Sequence, residues 1–177
     1  MTDGNFLAFH STSAQFGSRD FGEVGSGTYP YTAPTASTIY LGGSATGQYQ
    51  ESNYSGDTYI MYCFHSVDGY SKVGSYTGNG STDGTFIYTG FRPAYFMFKR
   101  TDSTSSWVIV DNKRNTYNVV NKTVWADLSS AEGTYTWGDF VSNGFKFRDA
   151  SNGLNNSSAT YIYLAFAESP FKYSNAR

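Results

Sequence analysis

Cysteine is almost missing from this chain: Cys63 stands alone among 177 residues, which excludes an intrachain disulfide and any zinc site built from several thiolates. Histidine is nearly as scarce. With only His10 and His65, a nucleophile, a histidine base and an orienting acid have few ways to be assembled. Charge is thin and balanced, 12 Lys and Arg against 14 Asp and Glu, so no basic field gathers phosphates and a dedicated nucleic-acid binder is not expected. No apolar run approaches the ~18 residues of a membrane-crossing helix. The opening Met1-Thr2-Asp3-Gly4-Asn5 has neither a basic nor a long apolar segment, so no export signal is expected.

What the chain has instead is aromatic rings. Tyr (16), Phe (14) and Trp (3) make up 19% of a sequence that is only 39% hydrophobic. Its core must be built from rings and β-branched residues, which favour strands. The 19 glycines exceed the usual share of about 7%, and with Ser, Thr and Asn they give the composition of a turn-rich all-β protein.

Residues 1–36 are Gly/Ser/Thr-rich, with anchors spaced at Phe6, Phe9, Phe16, Phe21, Tyr29 and Tyr31. These are too few for a core, so the segment is expected to be an extended arm lying on another subunit. From residue 37 to 177 the pattern predicts a β-sandwich, with strands at 38–41, 57–65, 71–76, 85–88, 94–100, 107–111, 116–120, 134–137, 144–148 and 160–167. Turn signals at Asp68-Gly69, Asn79-Gly80, Asp83-Gly84, Arg92-Pro93 and Asn143-Gly144 separate them. Runs 59–64, 94–98 and 161–166 are apolar on both alternating faces and should be covered on both sides, whereas Phe145-Lys146-Phe147-Arg148 should have one wet face. The only helix expected is one short piece near 124–131.

A weak repeat lays 53–64 over 155–166, which would make 37–66 the remnant of a preceding copy; two strands of like composition give the same match. In that alignment Ala165 stands at the place of Cys63 and Ala167 at that of His65. Both are therefore read as structural, Cys63 as a small buried hydrophobe and His65 as the end of a buried strand. The acids (Asp57, Asp68, Asp83, Asp102, Asp111, Asp127, Glu132, Asp139, Asp149, Glu168) sit mostly in turn contexts that Asx turns explain without catalysis. No metal-loop or zinc-helix motif is present. No catalytic, cofactor or metal residue is assigned, and a ligand-binding residue is left unknown.

Five stretches, 69–81, 88–102, 107–111, 142–147 and 159–168, taken in order, resemble a domain widespread in tail-fibre and other virion proteins of bacteriophages, especially marine ones. The resemblance covers about residues 57–172. It implies a lectin-like antiparallel sandwich of jelly-roll, concanavalin-like or LamG-like type, and it carries over no catalytic residue. The implied function is a non-catalytic structural subunit on the phage particle surface, made in the host cytoplasm: a tail-fibre, tail-associated or capsid decoration protein. Its partners would be other copies of itself and other virion proteins, with no nucleic acid and no membrane insertion. The alternative is a carbohydrate-binding adsorption module that recognises host surface glycan.

Overall fold

The structure is a computed structural model, and it describes Thr58 and residues 62–170. The chain divides into two units, Met1–Cys63 and Phe64–Arg177, and every strand below belongs to the second. That unit is all-β, with no helix among the described residues. Its strands are β1 (Ser71–Thr77), β2 (Phe86–Tyr88), β3 (Pro93–Arg100), β4 (Val108–Asp111), β5 (Val120–Trp125), β6 (Gly133–Val141), β7 (Gly144–Phe147) and β8 (Thr160–Ala167).

All neighbours are antiparallel, in one sheet ordered β1-β8-β3-β4-β5-β6-β7-β2. The sheet bends at β5, which pairs with β4 over only two residues and with β6 through a bulge between Val120 and Lys122. An extra residue in one strand of a pair increases local twist and turns the sheet. The two halves thus face one another yet stay hydrogen-bonded through β5.

The space between the halves is filled by rings. Phe96 of β3 stacks on Phe145 of β7 at 4.6 Å and 7°, and on Tyr163 of β8 at 5.4 Å. Phe98 meets Phe147 and Trp137 edge-on, and Tyr76 of β1 stacks on Tyr161 at 4.6 Å. Phe96, Phe98, Phe145, Phe147 and Tyr161 are wholly buried. Offset-stacked and T-shaped pairs each add about 0.5–1.5 kcal/mol beyond burial, so ring geometry fixes how the halves sit. Tyr76 donates to the Leu154 carbonyl at 2.7 Å and Tyr161 to that of Asn152 at 2.9 Å, which satisfies their hydroxyls inside the core.

The free strands β1 and β2 are joined by residues 78–85, and one side chain organises that connection. Asn155, 0% exposed, accepts from the Asn79 N–H (3.0 Å) and the Thr85 hydroxyl (3.1 Å) and donates to Asn79 Oδ1 (2.7 Å) and the Ser81 carbonyl (2.9 Å). Gly78 is required beside it, because a Cβ there would run into the backbone of Asn155 and Asn156.

Several expectations hold. β3 and β8 are interior strands, and β7 alternates buried Phe145 and Phe147 with half-buried Lys146 and exposed Arg148. The hairpin turn before Gly144 is Ser142-Asn143. Others need correction. There is no helix at 124–131: Val124 and Trp125 end β5, and Ala126-Asp127 form a turn whose carboxylate accepts from the Trp107 N–H at 3.0 Å. The strand placed at 116–120 begins instead at Val120. Within 57–65, residues 62–65 are exposed and outside any strand, although their sequence is apolar. The run 59–61, the strand 38–41 and the arm 1–36 lie outside the described residues.

Candidate interaction surfaces

The charged side chains form pairs and one short chain, in which Asp111, Arg114, Glu132 and Lys122 follow one another. Lys146 bonds Asp83 at 2.8 Å, Arg148 bonds Asp139 at 2.6 Å, and Arg114 meets Asp111 at 2.9 Å and Glu132 at 3.6 Å. Glu168 accepts from Asn112 Nδ2 at 2.7 Å and lies 3.2 Å from Arg92 Nε. Such pairs on a wet surface contribute about 0–1 kcal/mol each. Among the described residues no group of three or more His, Cys, Asp or Glu converges as metal ligands would.

Two charged residues are buried among those described, Asp139 in its pair with Arg148, and Lys99. Lys99 is 5% exposed, its ammonium donates to the Ser105 carbonyl and lies 5.9 Å from the Trp107 ring centroid. Burial pushes its pKa below the usual lysine value, and the negative charge of Asp127 partly restores it.

The sheet has a second apolar face. On the side away from the aromatic core, register places Val73 beside Leu164, Leu164 beside Met97, Met97 beside Ile109 and Ile109 beside Val124. Leu164 and Met97 are buried and the others half-buried. Phe166 adjoins this row and collects Phe64, Tyr70 and Tyr95 around its ring at 5.7–5.9 Å. Strands that are apolar on both sides behave as the middle layer of a larger packing rather than the skin of one core.

Two further surfaces present rings to solvent. On β2, Phe86 and Tyr88 are 43% and 64% exposed and flank buried Ile87. Phe86 reaches across to β7, where its ring occupies the place that a side chain on Gly144 would need, 2.7 Å from the Cβ position. A glycine at 144 is therefore what lets the ring lie down on the sheet. Tyr117, 84% exposed, crowns a loop fixed by asparagines. Asn115 Oδ1 accepts from the backbone of Asn121 and Lys122, and Asn118 exchanges hydrogen bonds with the backbone of Phe140 at 3.0 Å.

Of the residues singled out by sequence, Phe6, Phe9, Phe16, Phe21, Tyr29 and Tyr31 lie outside the described residues. Cys63 is exposed, not a buried hydrophobe, and His65 is exposed with Nδ1 3.0 Å from the Ser66 carbonyl. Both stand in an exposed loop rather than a strand, which removes the basis for reading either as core. The matching part of the repeat differs too, since 160–166 is strand and 62–64 is not. Sequence reasoning missed Phe86 and Tyr88 as a surface, although Phe-Ile-Tyr opposite an Asn-Gly turn signals an alternating edge strand.

Residues 4–170 match the model of a family described as a domain of unknown function, DUF7483. No curated protein and no solved structure matches the chain.

Proposed function

The chain belongs to the DUF7483 family, and from that premise we propose that it is a non-catalytic structural subunit of a bacteriophage particle, in its tail or as a capsid decoration, exposed at the virion surface. The observation that carries this reading is the double-faced sheet. One side holds the stacked rings and the other carries the row from Val73 to Val124, whose half-buried Val73, Ile109 and Val124 leave apolar surface for a neighbouring protein in an assembly. The mutually neutralised surface charges and the exposed Cys63 and His65 fit an architectural role better than a reacting centre. Its partners are then other copies of itself and other virion proteins, and the arm 1–36, with Phe6, Phe9, Phe16, Phe21, Tyr29 and Tyr31, is the strap between subunits.

Antibodies raised against the purified chain should decorate phage particles in electron micrographs, and peptides of the chain should appear in purified virions. Particles free of both would refute the assignment. A chain lacking residues 1–36 should still fold but lose its oligomer or its place on the particle, and an unchanged oligomer together with unchanged virion incorporation would refute the strap.

A second reading, adsorption to host surface glycan, is favoured by Tyr117. A nearly bare ring on an asparagine-pinned loop is a surface on which a sugar can stack. Host polysaccharide should bind the wild type and lose about tenfold affinity with Tyr117→Ala, a change of roughly 1.4 kcal/mol. Equal binding by both proteins, or none by either, would remove this reading.

A further inference from the structure

The border of the sheet at β2 is chemically unfinished. In the ladder with β7, the Phe147 N–H donates to Thr85 and the Thr89 N–H to Asn143, so Thr85, Ile87 and Thr89 turn their backbone groups toward β7. Alternation then aims the N–H and C=O of Phe86 and Tyr88 away from the sheet, where nothing among the described residues bonds them. The same two residues carry the exposed rings. Unpaired edge groups are a template for another strand.

We infer that β2 is a self-pairing edge, at which a second copy of this chain docks its own β2 antiparallel about a two-fold axis through Ile87. Two observations select a second copy. Phe86 and Tyr88 lie symmetrically about Ile87, so each ring meets the other kind across the pair, and the outward backbone groups of 86 bond those of 88 in the partner copy. In addition, Gly144 lets Phe86 lie down along the sheet face, which keeps its ring out of an incoming backbone's path.

The inference rests on the proposed self-assembly but not on the phage particle. Its test uses the full chain and reads amide hydrogen exchange at Phe86 and Tyr88 against protein concentration. Unpaired edge amides exchange freely and paired ones are protected. Protection should rise with concentration in the wild type. Phe86→Lys/Tyr88→Lys places like charges opposite one another and should weaken association by about tenfold or more. Phe86→Lys/Tyr88→Glu, which sets the introduced ammonium of one copy against the introduced carboxylate of the other, should restore most of it.

An oligomer in which these amides stay unprotected would overturn the inference while leaving self-assembly intact. A chain that is monomeric at every concentration would overturn both. Association of the double-lysine variant equal to wild type, failure of the lysine/glutamate variant to recover, or protection that appears only on adding a polysaccharide would each overturn it as well.

Discussion

Replacing Asn155 with Ala should be the most damaging single change outside the aromatic core. The amide makes four hydrogen bonds of 2.7–3.1 Å to Asn79, Ser81 and Thr85, and a longer one of 3.4 Å to the Thr85 N–H. At about 1 kcal/mol net for each good bond, less what water regains at exposed Asn79, the loss comes to roughly 3 kcal/mol. For a unit of this size that lowers the melting midpoint on the order of 15 °C. Asn155→Asp dissects the loss. The carboxylate keeps the acceptor side toward Asn79 and Thr85 but loses both donors and faces the Ser81 carbonyl, so its penalty should shrink as acid protonates it and restores one donor. Chemical denaturation of the three proteins at neutral and acid pH is the assay. A cost under about 1 kcal/mol for Asn155→Ala, or an Asn155→Asp penalty that grows in acid, would refute the idea that this side chain closes the connection between β1 and β2.

Phe96→Ala should cost ~3–5 kcal/mol by emptying a fully buried, doubly stacked site, and Phe166→Ala clearly less because its ring is only half-buried, as urea midpoints will show. Burial raises the pKa of Tyr76, Tyr95, Tyr161 and Tyr163 above the ordinary phenol value of 10.0. The stability they contribute is complete below that pH and falls as pH rises beyond it, because only the unfolded phenols ionise readily. Lys99, shifted down from 10.5, works in the opposite sense, so the decline should be clearest above that value and shallower in Tyr76→Phe. Cys63 should react with a thiol reagent in the folded protein, and Cys63→Ala should alter stability by less than about 0.5 kcal/mol, as expected of an exposed position.

The strands were legible where burial imposes a simple period. β7 alternates ring and charge, and β3 over 94–98 and β8 over 161–166 are apolar at every step because both of their faces are covered, which is what doubly apolar runs mean. β5 hid because its bulge breaks that period: the fully buried positions are Val120 and Thr123, three residues apart, a spacing that imitates a helix. Residues 62–64 erred the other way, having strand composition without a neighbouring strand. Asn155 gave no local sign. An amide in a polar loop reads as a turn residue, and its role depends on partners more than seventy positions away. The free backbone of β2 is likewise a property of pairing, since the same Phe-Ile-Tyr in mid-sheet would have both edges occupied.

The opposite border of the sheet sets a limit on growth. Along the side of β1 away from β8, Ser71 exchanges backbone bonds with Val67, the Ser66 hydroxyl takes the place of a neighbouring strand at Val73, and the Thr85 hydroxyl occupies the Thr77 carbonyl. A molecule whose one border is occupied from within the chain at Ser71, Val73 and Thr77, leaving only Ser75 bare, and whose other border is open can be joined once and then stops. Pairing that consumes both open borders ends in a closed couple, not a ribbon, so a protein this rich in strands and rings can be made at high concentration with its own polymerisation terminated at the first step.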